Sequence, residues 1–293
     1  MTSILTNPSA MSALQTLRSI NSNLATTQDR VSSGERVGQA SDNVAYWSIS
    51  TTMNSDNKAL NAATDALGVG AAKVDTAYAA MDSAIDVVNE IKAKLTTASE
   101  TSVDKGQVQL EIKKLQEQLS AIGQAASFNG ENWAVQGNAS STTVVDGFIR
   151  SSDGTVKVTT ATFNAGSFAM FESITSAGVG TGGILSNVMT IALTASTAKT
   201  GIDAFMTTVQ TALDRMTDGA AALGALSARI DMQDSYSSKL SDAIEAGVSR
   251  LVDADMEEES ARLSALQTQQ QLAVQSLSIA NSSSQNIMSL FRG

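Results

Sequence analysis

Tyr46, Met53, Leu60, Leu67, Val74, Met81, Val88 and Leu95 stand seven residues apart along one stretch of the chain. Seven residues make nearly two helical turns, so eight apolar side chains in this register form one seam along a single long helix. From Leu67 the second position of the repeat is read at Ala71, Tyr78 and Ile85, giving the alternating 3/4 spacing of a supercoiled helix. At 1.5 Å per residue, a helix over about 44–99 would run about 80 Å. Little can interrupt it: Pro8 is the single proline of 293 residues, where ordinary usage would give about fifteen.

Ser102 to Lys105 break the repeat, and Asp104 with Gln107 reads as a variant capping box. Val108, Ile112, Leu115, Leu119 and Ile122 then predict a second, shorter helix. The later part of the chain mirrors this. Ile202, Met206, Val209, Leu213, Met216, Ala220, Leu223 and Ile230 share a seam that continues through Leu240, Ile244, Val248 and Leu251, predicting a third long helix. Between these halves, from Phe128 to about Gly183, the helical period disappears and Gly, Asn, Ser and Thr accumulate. Asn129-Gly130 is a turn signal, and Thr142 to Arg150 with Thr155 to Phe163 read as two strands joined at residues 151–154. The expected fold is mainly α, a long antiparallel helical bundle or coiled coil with a small β-hairpin region at its tip.

At the two ends the helical pattern persists with weaker residues. The front seam holds Ala13, Leu17, Ile20, Leu24, Thr27 and Val31, and the rear seam holds Leu263, Leu266, Gln270, Ala273, Leu277, Ala280, Ser284, Ile287 and Phe291. Each buried leucine supplies about 1.5–3 kcal/mol against an ordering cost of about 1–2 kcal/mol per residue fixed, so such seams hold a helix pair weakly. Leu5, Leu14, Leu272, Val274, Ile279, Met288 and Leu290 lie off the principal seam and spread apolar surface over more than one face. Helices of this kind require neighbours on several sides. A heterologous contact repeated by a rotation that does not close generates an open helical filament, the assembly this pattern suggests.

Composition excludes much else. A net charge of −10 without a basic run disfavours nucleic acid and anionic membranes. With neither cysteine nor histidine there is no thiolate nucleophile, no disulfide and no histidine base or metal ligand. No catalytic, cofactor or metal constellation is found. Gly178-Val179-Gly180-Thr181-Gly182-Gly183 resembles a phosphate loop only superficially, because no Gly-Lys-Ser/Thr follows, and it reads as a surface loop. Asp253, Asp255, Glu257, Glu258 and Glu259 lack the turn glycine of a calcium loop and read as a solvated acidic face, with Glu258 and Arg262 spaced as an i,i+4 pair. Glu259 differs, since the rear seam extended back from Leu263 places it at a core position, where either the register shifts or the carboxylate meets a polar partner. Residues 1–17 have no signal-peptide pattern, and no stretch is apolar for the roughly 18 residues of a membrane span.

Residues 30–49, Arg-Val-Ser-Ser-Gly-Glu-Arg-Val-Gly-Gln-Ala-Ser-Asp-Asn-Val-Ala-Tyr-Trp-Ser-Ile, resemble the flagellin signature of Leu/Val-Ser-Ser/Thr-Gly-x-Arg-Ile/Val followed by Ala-x-Asp-Asp/Asn-x-Ala. Its residues here are Ser33, Gly34, Arg36, Asp42 and Asn43. Phe128-Asn129-Gly130, Ala228-Arg229-Ile230 and the tail Gln285 to Arg292 resemble further family motifs, the tail departing by a Phe and a final Gly. The resemblance covers roughly 1–135 and 200–293, and Tyr46-Trp47 is similar to the rhizobial branch. It implies a structural, non-enzymatic filament subunit for swimming, exported unfolded through the flagellar type III apparatus with an export chaperone. It further implies contacts with other flagellin subunits, the filament cap and the hook-associated proteins. Discontinuous domains are expected: D0 at 1–45 and 247–293, D1 at 46–135 and 195–246, and a β-hairpin and variable surface segment at 136–194. The expected assembly core is Leu14, Leu17, Ile20, Leu24, Val31, Leu263, Leu266, Leu277, Ile287, Leu290 and Phe291. A hook-filament junction protein shares the terminal helices. A coiled-coil signalling scaffold would need neither weak apolar ends nor a β tip, and an enzymatic insertion built on histidine and zinc is excluded by composition.

Overall fold

The structure, a computed structural model, describes residues 7–137, 141–151, 153–175 and 178–290, of which 283–290 are described as backbone only. Two compact units divide the chain, one drawn from Met1–Asn57 and Asp242–Gly293 and the other from Lys58–Ser241. In chain order the elements are α1 (Pro8–Ser33), α2 (Val44–Ala98), α3 (Lys105–Ala125), β1 (Ser127–Phe128), β2 (Glu131–Asn132), β3 (Thr142–Arg150), β4 (Val156–Phe163), α4 (Ala165–Phe168), β5 (Ser173–Ile174), β6 (Gly180–Thr181), α5 (Ser186–Met189), α6 (Lys199–Val252) and α7 (Met256–Leu290). The predicted class is observed: among the described residues, four long helices, one shorter helix, two helices of a single turn and small antiparallel strand pairs.

In the second unit α2 and α6 run antiparallel. Asn61 faces Ser241, Asp75 faces Ser227 and Lys92 faces Gln210, so residue number falls on one helix as it rises on the other. The expected α2 seam is buried from Leu60 through Leu67, Val74, Met81, Val88 and Leu95, whereas Met53 is half-buried and Tyr46 is exposed. The second column differs from the expectation at Ala71, Tyr78 and Ile85, for Tyr78 is exposed and the other two are only half-buried. The buried column is Ala63, Gly70, Ala77, Ala84, Ile91 and Ala98, three residues after each seam position instead of four. Small side chains let neighbouring elements approach closely, and a search for large apolar residues passes over them. On α6 the predicted seam is buried at Ile202, Val209, Leu213, Met216, Leu223 and Ile230.

α3 starts where expected, with the Asp104 carboxylate accepting from the Gly106 N–H at 2.8 Å, and it buries Val108, Ile112 and Leu119. Gln116, also buried on α3, donates from Nε2 to the carbonyls of Val188 and Ile191 at 2.9 and 3.0 Å, satisfying two groups at the end of α5. Between β1 and β2, Asn129 and Gly130 both adopt positive φ, 50° and 84°, as a two-residue hairpin turn of matching twist requires. β3 and β4 pair as predicted, with a bulge between Val145 and Gly147. Their hairpin settles on α2 at Gly70, where a Cβ would lie 2.1 Å from Val144 Cγ1. The glycines of 178–183 also serve packing: Phe171 occupies the space a Cβ at Gly180 would need, and the Gly180 N–H, buried, donates to Ser120 Oγ at 3.1 Å. The segment read as a surface loop is therefore partly a strand, β6, seated on the core.

Candidate assembly surface

Within the first unit, α1 and α7 form an antiparallel pair. Asn7 Nδ2 donates to the Ala280 carbonyl at 2.9 Å, Gln270 Nε2 donates to Asn21 Oδ1 at 2.7 Å, and Arg30 pairs with Glu259 at 3.2 Å. Asn7 also caps α1 by accepting from the Ala10 N–H, with Pro8 placed where a missing N–H costs nothing.

The seam is half-filled. Leu17, Ile20, Leu24, Val31, Leu263 and Leu277 are half-buried, Leu266 is buried and Leu14 is exposed. Ile287 and Leu290 have described backbone only, and Phe291 lies outside the described residues. Among the described side chains of the two helices, the buried ones are Thr27, Glu259 and Leu266, two of them polar. Met11, Leu272, Val274 and Ile279 point to solvent at 65%, 58%, 53% and 69% exposure. A groove of about 850 Å³, lined chiefly by small residues such as Ser9, Ser12, Ala13, Ala273 and Ser276, runs between the helices. An isolated pair of this kind buries too little apolar surface to order so many residues firmly.

Glu259 resolves its alternatives by finding partners. Oε1 accepts from Arg30 at 3.2 Å and from Arg262 at 3.0 Å, while Oε2 is buried without a hydrogen-bond partner among the described residues. Arg262 also reaches Glu258 at 2.7 Å, as the i,i+4 spacing predicted. The rest of the acidic group serves helix geometry: the Asp255 carboxylate accepts from the Glu257 and Glu258 N–H groups at the start of α7, where negative charge suits the helix dipole. Among the described residues no group of three carboxylates is arranged to hold a metal ion.

The signature residues form the connection between the helix pair and the ends of α2 and α6. Ser33 Oγ donates to the Asp29 carbonyl and accepts from the Glu35 N–H. Gly34 closes α1 at φ 77°, a left-handed conformation that favours glycine, and its carbonyl accepts from the Ala254 N–H at 2.9 Å. The Arg36 and Val37 N–H groups both donate to the Val252 carbonyl, and the Arg36 guanidinium donates to the Leu251 carbonyl at 3.1 Å. A cation and two backbone donors thus meet the C-terminal end of α6, where the last carbonyls lack helical partners. Asp42 accepts from the Gly38 and Gln39 N–H groups at 3.1 Å, and Asn43 caps α2 by accepting from Ala45 and Tyr46. Glu35 and Asp253 form an isolated antiparallel bridge that sequence reasoning did not anticipate, because it joins two turns far apart in the chain.

The remaining signature residues lie in the second unit. Phe128, Asn129 and Gly130 build the β1–β2 turn, and Arg229 pairs with Asp146, the bulge residue of β3, at 2.8 Å. Sequence reasoning missed Asn132, whose amide donates to the Gly123 carbonyl and accepts from Ala134 and Val135, and Trp133, buried and stacked on Phe163 at 5.9 Å. Nearby, a hydrogen bond from Lys73 at 2.8 Å holds the Glu131 carboxyl below its ordinary pKa.

Residues 4–139 match the family described as the bacterial flagellin N-terminal helical region, and residues 206–291 match the bacterial flagellin C-terminal helical region. The chain is 48% identical over 320 residues to Flagellin C of Rhizobium meliloti (strain 1021), covering all of both chains. It is 44% identical over 395 residues to Flagellin A of Rhizobium meliloti and 47% identical over 300 residues to the Flagellin of Brucella melitensis biotype 1, again over the whole of each chain.

Proposed function

The chain belongs to the bacterial flagellin family, and from that premise we infer that it is a structural subunit whose α1–α7 pair is the assembly core of the helical flagellar filament. One observation carries the assignment of the core: a helix pair with a half-filled seam keeps large apolar residues on its outer faces, where only further helices could cover them. Neighbouring copies would supply those helices, each pair lending its exposed leucines and valines to the next. We assign the inner D0 layer to 1–45 and 247–293, the D1 layer to 46–135 and 195–246, and the outward-facing variable part to 136–194. The filament places the protein outside the cell. Export through the flagellar type III apparatus with a chaperone, and meetings with the filament cap and hook-associated proteins, complete the reading. We assign no catalytic role, in keeping with a structural family and a chain without histidine or cysteine. The relatives named above are flagellins, which favours a filament subunit over a junction protein or a signalling scaffold.

Seeded polymerisation of the purified chain, followed by electron microscopy, tests this directly. Full-length protein should extend seeds into filaments, whereas deletion of 1–30 or of 264–293 should abolish extension and leave the second unit helical by circular dichroism. Normal polymerisation of either truncation would show that the core lies elsewhere.

A further inference from the structure

Of all the asparagines in the chain, Asn129 alone precedes a glycine. That order bears on the covalent stability of the backbone. A main-chain nitrogen can attack the side-chain carbonyl of the asparagine before it, and a β-carbon on the attacking residue crowds the approach. Gly130 has none, and the position where one would stand meets no atom within 4 Å. Both residues are exposed, so water reaches the turn.

The reacting groups are also unengaged. The Asn129 amide has no hydrogen-bond partner among the described residues. Asn132 is the contrast: its amide donates to the Gly123 carbonyl at 2.7 Å and accepts from the Ala134 and Val135 N–H groups, and the bulky Trp133 follows it. The peptide group between Asn129 and Gly130 takes no backbone hydrogen bond among the described residues, because the Phe128 and Glu131 pair closes the turn. With φ of 50° and 84° the two residues form a I′ turn, in which the nitrogen after the first central residue lies away from that residue's side chain. Ring closure requires the Asn129–Gly130 peptide to flip. I′ and II′ turns share a positive φ at the first central residue, differ by this flip and both close two-residue hairpins. Glycine adopts either sign of φ readily, so the turn reaches the reactive geometry without opening β1–β2.

We propose that Asn129 is a self-modifying site. The Gly130 nitrogen bonds to the Asn129 side-chain carbonyl carbon, and the amide nitrogen leaves as ammonia, carrying the proton that the Gly130 nitrogen gives up. Water then opens the succinimide. Attack at the former side-chain carbonyl gives aspartate, and attack at the main-chain carbonyl gives isoaspartate, whose backbone is one methylene longer. The two products differ in consequence. Aspartate keeps the turn, since Asp-Gly also suits I′, and adds a negative charge two residues from Glu131, the partner of Lys73. Isoaspartate cannot hold both the Ser127–Asn132 and Phe128–Glu131 pairings, so it loosens the turn. The reaction needs only water, and its products accumulate with the age of the molecule.

The test is to age the full-length protein in neutral buffer, folded and in urea, and to map the tryptic peptide 115–150 by mass spectrometry. Labelling with an isoaspartyl methyltransferase identifies the longer product. Deamidation should be at least about tenfold faster at Asn129 than at Asn132, and the folded rate should lie within about tenfold of the rate in urea, a barrier difference of about 1.4 kcal/mol. Aged protein should exchange its amides at 127–133 faster than fresh protein, whereas Asn129→Gly, which keeps a Gly-Gly turn, should show no such change with age. Stronger suppression in the folded chain, conversion no faster than at Asn132, or equal ageing of the exchange in both proteins would overturn the proposal. None of these outcomes bears on the filament reading.

Discussion

Glu259 sits at one of the three buried positions among the described side chains of the α1–α7 pair, and its two cationic partners are unequal: Arg30 reaches it from the facing helix, Arg262 from its own. Arg30→Ala should therefore weaken the pairing of the helices by about 1–3 kcal/mol, because a buried carboxylate loses its cross-helix donor. Glu259→Leu should be nearly neutral, since an apolar residue of similar size removes the cost of burying the charge together with its attraction. Hydrogen exchange of the α1 and α7 amides distinguishes the two, and equal protection in both variants would refute this account. The sequence revealed that Glu259 was anomalous but not which partner it had, because a contact with Arg30 depends on a register that seams of Ala, Ser, Thr and Gln barely define. Glu131 yields a pH prediction of the same kind. Its pKa is depressed chiefly by the Lys73 hydrogen bond, so the link contributes above the ordinary carboxylate range and is lost as pH falls through the lowered folded value. Acid should loosen the β1–β2 turn from α2, and Glu131→Gln should remove that pH dependence as followed by amide exchange at 127–133.

Long helices were legible from periodicity and short elements were not. A repeat that recurs eight times cannot be mistaken, whereas β5, β6, α4 and α5 are each fixed by two to four residues and by glycines whose role appears only once Phe171 and Met170 are in place. The misplaced second column of α2 has the same origin: Ala63, Gly70, Ala77 and Ala84 carry no large side chain for the eye to catch. A paired substitution tests the consequence. Gly68 has open space around a would-be Cβ, so Gly68→Ala should stabilise α2 by about 0.5–1 kcal/mol. Gly70→Ala gains the same helix propensity but drives a methyl into Val144, and overpacking at about 1–3 kcal/mol should outweigh the gain and displace the β3–β4 hairpin. Thermal unfolding of the two variants should thus move in opposite directions, and a shared direction would contradict the hairpin's seat at Gly70.

For the molecule as a whole, the proposed division between a self-sufficient unit and one completed by neighbouring copies predicts separable defects. Leu277→Pro removes a backbone hydrogen bond from α7 and introduces a ring clash, a cost of about 3 kcal/mol or more in a helix that is weakly held. Filament extension should fail while the melting of the second unit is unchanged. Loss of both together would mean that the two units fold as one. The connection at 33–43 was readable through its resemblance to the flagellin signature, whose residues Gly34, Asp42 and Asn43 meet backbone groups through fixed local geometry. The stretch between β4 and α6 was not, for its contacts are nonlocal and no period marks them.

The opposed numbering of the paired helices also bears on how such genes can change length. Residues 34–43 connect α1 to α2, while only 253–255 connect α6 to α7, and the two connections are tied by the Gly34, Arg36 and Val252 backbone bonds. Losing one residue from a helix on either side would slide everything beyond it by about 1.5 Å and turn it by about 100°, moving each seam residue off its opposite number. Insertions and deletions in the helices are tolerable only in compensating pairs, so single events should accumulate where nothing runs opposite. Residues 140–205 lie outside both matched family regions, and the alignment with Flagellin A extends to 395 positions against the 293 residues here. We expect lengthening and shortening to concentrate in this stretch before α6 begins at Lys199, where a change leaves the long helices in register.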